Sequence, residues 1–118
     1  MCYTFVGDKM YYYTYILRCS DNSLYTGITA DINRRMSEHF SQNEKCAKYT
    51  RTHKAAKLES VWISENRATA SKLEYHIKQL TKKQKENIIS DKSLALLNKI
   101  IPIGNYKYSD IELNIQSK

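Results

Sequence analysis

Five side chains in this sequence can move a proton, grip an anion or hold a cation: Tyr15, Tyr25, Arg35, His39 and Glu74. Glu74 borders an apolar helical stripe, with Arg67, Ser71 and Lys78 beyond it. A carboxylate so placed either binds a hard cation such as Mg²⁺, which wants oxygen ligands and keeps most of its waters, or closes a structural ion pair. Arg35 and His39 stand one helical turn apart, so a guanidinium and an imidazole can face one anion. The alternative is an arginine that snorkels to water beside a satisfied core-edge histidine. Tyr15 and Tyr25 lie ten positions apart on two strand-like runs. A tyrosine serves as general base only if a cation or metal lowers its pKa from about 10; otherwise it packs. Cation, phosphate-binding arginine and base are the set that phosphodiester hydrolysis requires. The residue types alone leave each alternative open.

Local elements must carry these groups to one place. Residues 11–19, YYYTYILRC, are rich in aromatic and β-preferring types and predict a strand. Ser20 to Ser23 supply turn chemistry, and residues 24–29, LYTGIT, return as a second strand. Gly27 weakens that strand unless a backbone or ligand must approach closely there. A helix is expected from about Asp31, its N-cap, to Ser41, with Ile32, Met36 and Phe40 at helical spacing. Residues 42–55 read as a basic connection, and Leu58 to Ser64 as a third strand. Asn66 caps a helix to about Leu80, and Thr81-Lys82-Lys83-Gln84 has the form of a capping box opening another to about Ser90. Leu94 to Ile101 is expected to be helical until Pro102 stops it, with a loose polar tail beyond Gly104.

The predicted class is therefore α+β: a small, mainly antiparallel, three-stranded sheet flanked by helices. The expected organisation is an N-terminal extension over 1–10, one folded domain over 11–90, and a C-terminal helix and polar tail over 91–118.

The 118 residues carry a formal net charge of +7, which favours nucleic acid or an anionic surface as partner. Arg34, Lys45, Lys48, Arg51, Lys54, Lys78, Lys82 and Lys83 are the candidates for backbone contacts, which give salt-dependent, sequence-tolerant affinity. Cys2, Cys19 and Cys46 are widely spaced and suggest neither a zinc site nor a disulfide framework. Reduced thiols, no apolar run of membrane-helix length and no signal-peptide pattern make a cytoplasmic protein with no membrane partner the expectation.

Taken together, the residues resemble the GIY-YIG nuclease superfamily. The first motif element is Tyr13-Thr14-Tyr15 and the second Tyr25-Thr26-Gly27, followed by Arg35, His39 and Glu74 at the family's intervals. The segments YILRCSDNSLYTGIT, DINRRMSEH, AKYTR and LEYHIKQLTKKQK look like the small standalone bacterial branch, and the likeness covers about residues 11–90. The first triplet keeps only its tyrosine, and the second has threonine for isoleucine. An asparagine that some members carry downstream has candidates in Asn87 and Asn98, neither in a matching motif.

The resemblance implies a DNA endonuclease dependent on one divalent ion, Mg²⁺ or Mn²⁺, with Glu74 as metal ligand. It implies that Tyr15, with Tyr25 beside it, takes a proton from water, that Arg35 neutralises the phosphate, and that His39 assists. Gly27 would let the strand approach the phosphate. Structure-selective cutting in repair or recombination is an analogy with relatives, and a protein partner that supplies targeting is compatible with so small a domain. The competing expectation is a catalytically weak or inactive module that binds DNA or RNA.

Overall fold

The computed structural model describes residues 5–6, 9–42, 45 and 47–109. Cys2, Cys46 and the last nine residues of the expected tail lie outside the described residues. Strands β1 (Phe5–Val6) and β2 (Lys9–Met10) form a two-residue antiparallel ribbon. The main sheet is built from β3 (Tyr12–Cys19), β4 (Leu24–Thr29), β5 (Ala55–Ser64) and β6 (Lys107–Tyr108). Its order is β4-β3-β5-β6, antiparallel throughout.

Two expectations about the sheet are corrected. Among the described residues it has four strands, not three, because the supposed loose tail returns as β6 beside Trp62 and Ile63. Two residues are too few to show alternation. What holds them is tertiary: Tyr106 is buried and its hydroxyl donates to the Thr69 carbonyl at 2.7 Å, while Tyr108 meets Trp62 edge-on. β5 also starts at Ala55, not Leu58, because Ala55 pairs with Cys19 across register shifts in the β3–β5 ladder.

β3 is central and buried on both faces, so its sequence reads as nearly continuous apolar and aromatic residues. Tyr13, Tyr15 and Leu17 point to one face, where they pack with Ile32, Met36, Ala55 and Val61. Ile16 joins the other face, with Trp62, Leu73, Ile77, Ile88, Leu94, Leu97 and Ile101. These four side chains of the strand are therefore divided between two separate cores.

Helix α1 (Ile32–Ser41) covers the first face. The Asp31 side chain accepts from the Arg34 amide, and Gln42 closes the helix in the left-handed region at φ 53°. Helix α3 (Arg67–Lys78) lies against β3 and β4, capped by Asn66, with Ala70, Leu73 and Ile77 buried. Helix α4 (Lys82–Asp91) opens on the capping box formed by Thr81 and Gln84. Two further expectations change. The basic connection contains a short helix, α2 (Lys48–Thr52), too brief to show a periodicity in sequence. The expected helix over 94–101 shrinks to a 3-10 turn at Ala95–Leu97, because Leu94, Leu97 and Ile101 are buried in the second core while Leu96 and Ile100 are exposed.

Candidate active site

Tyr15 and Gly27 are directly opposite in the β3–β4 ladder, so they share one sheet face. A Cβ built on Gly27 would lie 2.6 Å from the Tyr15 hydroxyl oxygen and 2.8 Å from its ring. What approaches Gly27 closely within the protein is the Tyr15 phenol, which the missing side chain admits.

The tip of that phenol meets α1. The Tyr15 hydroxyl lies 2.8 Å from His39 Nε2, and His39 Nδ1 lies 2.9 Å from the Thr50 hydroxyl on α2. All three residues are buried, His39 and Thr50 with no exposed surface and Tyr15 with 1%. Burial, reinforced by the neighbouring Arg35 charge, lowers the His39 pKa to about 4, so its imidazole is neutral at physiological pH. Burial, with Tyr25 close by, raises Tyr15 well above the usual phenol range, against the neighbouring Arg35 guanidinium, which pulls the other way. The resting pair is neutral tyrosine beside neutral histidine.

Arg35 is partly exposed. One terminal nitrogen, Nη1, donates to Glu38 and to the Lys45 carbonyl, each at 2.7 Å. A guanidinium has five N–H donors in a rigid fork, so donors remain for an anion. Tyr25 is half-buried, with its ring 6.3 Å from that of Tyr15 and 5.5 Å from that of His39. Glu74 lies on α3, which packs against β3 and β4. Its side chain is 23% exposed and pairs with Lys78 at 3.3 Å, and the Lys78 ammonium sits over the Tyr25 ring. Tyr15, Tyr25, Gly27, Arg35, His39 and Glu74, predicted from four different segments, thus gather at one place.

The basic residues are more dispersed. Lys78 belongs to the site. Lys48 and Arg51 are exposed on α2, whose Tyr49 ring stacks on Tyr25 at 5.6 Å. Lys82 lines a groove of about 360 Å³ with Lys85, Tyr49 and residues 21–24, so this groove runs on from the aromatic stack. Arg34 is exposed in the first turn of α1, 3.8 Å from Asp31. Lys45 is exposed and lends its backbone carbonyl to Arg35, and Lys54 and Lys83 are exposed.

Sequence reasoning missed three features. Thr50 and Tyr49 lie within the AKYTR segment, which carried the resemblance without a role for either. His53 stacks on Tyr49 at 4.1 Å and bonds Asp21 at 2.6 Å, tying α2 to the β3–β4 turn. Arg18 donates to Glu59 at 2.8 Å and to both oxygens of Glu86 at 2.5 and 2.6 Å. No local pattern announces such distant pairs.

Comparison with known proteins bears on this cluster. The family model described as the GIY-YIG catalytic domain matches residues 11–87. The chain belongs to the GIY-YIG family. Among its relatives, a UPF0213 protein of Fusobacterium nucleatum is 51% identical over 81 residues, covering 69% of this chain and 79% of that protein. A UPF0213 protein of Clostridium perfringens is 46% identical over 83 residues, covering 70% and 86%. The solution NMR structure of a UPF0213 protein from Bacillus halodurans is 38% identical, covering 77% of this chain and 95% of that one, with a TM-score of 0.47. This GIY-YIG chain thus groups with the small single-domain branch of the family. Among its described residues no helix is long and apolar enough to cross a membrane.

Proposed function

We propose that this GIY-YIG protein is an endonuclease that hydrolyses DNA phosphodiester bonds with one divalent cation, Mg²⁺ or Mn²⁺. The observation that carries the reading is the Tyr15–His39 hydrogen bond of 2.8 Å, in which a phenol meets a neutral imidazole able to receive its proton.

The residues present fit such a cation. Among the described residues no group of three or more metal-ligating side chains occurs. Glu74 is one partly exposed carboxylate, and a hard ion that keeps its waters and shares phosphate oxygens can be held by one. Glu74 would hold the ion, which when bound supplies charge stabilisation to the phosphate and its leaving 3′ oxygen. Lys78 would then yield its contact with Glu74.

The chain's own groups do the rest. As water attacks phosphorus and the bond to the 3′ oxygen breaks, the water's proton passes to the Tyr15 oxygen, the Tyr15 proton passes to His39 Nε2, and the departing 3′ oxygen takes up a proton from solvent. Neither residue needs to be charged beforehand, which suits a site where burial opposes both charged forms. The unspent N–H groups of Arg35 meet the growing phosphate charge. Tyr25 flanks the pair, and Gly27 leaves the phenol its room. Lys48, Arg51, Lys78 and Lys82 border the site and its groove and would track the DNA backbone, with Arg34, Lys45, Lys54 and Lys83 adding outer charge. A cytoplasmic role in repair or recombination, with a protein partner supplying the target, belongs to the same reading.

One observation favours a second reading, a module that binds DNA or RNA with little turnover. Tyr15 is only 1% exposed, whereas a base must touch the water it activates. A cleavage assay separates the two. End-labelled plain, nicked, flapped and branched DNA, beside matched RNA, are incubated with Mg²⁺ or Mn²⁺, with EDTA and Glu74→Ala as controls. Cutting of DNA that both controls abolish supports the nuclease. Intact strands with salt-sensitive binding overturn it in favour of the binding module.

A further inference from the structure

His39 can act as an acceptor only if its lone pair is on the nitrogen that faces Tyr15, and a neutral imidazole has two tautomers. Hydrogen-bond accounting from both ends selects one. At the Tyr15 end, the buried hydroxyl has a single hydrogen-bond partner among the described residues. The phenol proton then needs an acceptor within this buried space, and His39 Nε2 stands at 2.8 Å. At the far end, Thr50 has one hydroxyl proton, and it donates to the Ala47 carbonyl at 3.1 Å. Its oxygen is left to accept from His39 Nδ1 at 2.9 Å. Both ends give the same direction: Tyr15 O–H to Nε2, and Nδ1–H to Thr50.

We propose that Thr50 is the positioning residue that holds His39 as its Nδ1–H tautomer, turning the Nε2 lone pair onto the Tyr15 hydroxyl. The helix carrying Thr50 is pinned for this purpose. Gln42, which ends α1, donates its side-chain amide to the Thr50 carbonyl at 3.0 Å. Arg35, one turn before His39 on α1, donates to the Lys45 carbonyl at 2.7 Å. Lys45 and Thr50 are therefore each tied back to α1, and the acceptor that sets the tautomer travels with the helix that bears the histidine. Thr50 touches neither water nor phosphate; it acts through the imidazole.

The structural part of this proposal is independent of the nuclease reading, and only its effect on rate rests on that reading. The test is long-range ¹H–¹⁵N spectroscopy of the histidine rings in the full chain at neutral pH, for the unaltered protein, Thr50→Val and Thr50→Ser. His53 and His76 serve as internal references. In the unaltered protein His39 should carry its proton on Nδ1 alone. Thr50→Val keeps the shape but removes the acceptor, and should shift His39 toward the Nε2–H form, whereas Thr50→Ser should return the original pattern. An Nε2–H form in the unaltered protein overturns the proposal even if Thr50→Val does not fold, and so does a pattern that Thr50→Val leaves unchanged. On DNA, Thr50→Val should lower kcat roughly tenfold or more with KM unchanged, and Thr50→Ser should restore it. A full kcat in a Thr50→Val protein whose tautomer has shifted overturns the functional role. Should the unaltered protein cut nothing, the nuclease reading falls while the spectra still judge the tautomer.

Discussion

The two faces of β3 treat their polar groups in opposite ways. On one face Arg18 keeps a full charge and cancels it against Glu59 and Glu86, in a fork that spans β5 and α4. On the other, three positions earlier in the strand, Tyr15 joins His39 and Thr50 in a chain of neutral groups, each buried. A charge cancelled on both sides is locked, since losing either partner strands the other. A neutral chain of alternating donors and acceptors costs less to bury and can still pass a proton along its length. The first arrangement fastens the sheet to α4, and the second preserves the capacity to react.

The sharpest way to break this comparison is to remove one atom from the neutral face. Tyr15→Phe should reduce DNA cleavage by roughly 100-fold or more, while urea denaturation registers a loss of only about 1 kcal/mol for the unmade hydrogen bond. A variant that cuts at the original rate would move the proton transfer to Tyr25.

Acid should separate the faces by pH window. His39 titrates at about 4 in the folded protein against 6.5 ordinarily, so between those values the unfolded chain binds a proton that the folded one refuses. Stability therefore falls as pH drops through that window, by up to roughly 3 kcal/mol. Arg18 lowers Glu86 from 4.5 to about 2, so the support from that pair is complete above 4.5 and lost as pH falls toward 2. Urea midpoints measured at a series of pH values should show a decline that begins near 6.5; a curve flat down to 4.5 would contradict the neutral burial of His39.

Arg18→Ala tests the charged face. It leaves Glu59, with a side chain only 12% exposed, without its main partner, and should cost about 2–3 kcal/mol on chemical denaturation. The rate per folded molecule should stay within about twofold of the original, because no atom of that fork belongs to the Tyr15 cluster. A large drop in rate would show that the faces are coupled through β3.

Gly27→Ala should cost about 1–2 kcal/mol of stability. Its effect is aimed, since the new methyl group would collide with the Tyr15 oxygen. Ring-current shifts of Tyr15 and His39 should change by NMR, and cleavage should fall with them. Unperturbed rings would mean that the strand yields and the phenol does not.

Much of the fold was legible because its signals are local. The capping side chains of Asp31, Asn66 and Thr81 act over three residues, and the structure has each helix opening where they stand. The aromatic, β-preferring run over 11–19, the turn chemistry of Ser20 to Ser23 and the returning run over 24–29 foretold the hairpin. The candidate site was legible to the extent that Tyr15, Tyr25, Arg35, His39 and Glu74 have telling types at telling intervals. What escaped was short or distant: a five-residue α2, a two-residue β6, and a role for Gly27 that depends on the residue facing it across the ladder.

Side-chain type, turn and cap chemistry are written within a few residues of one another, so the amino-acid order alone settled the three side-chain-capped helices, the hairpin and the inventory of reactive groups. Which groups meet was settled by packing. Thr50 reaches His39 because Gln42 and Arg35 hold Thr50 and Lys45 against α1. Arg18 finds Glu86, 68 positions away, because α4 packs behind β3. Hydrogen-bond direction and burial arise only when distant segments exclude water together, and those two properties set the protonation of this site.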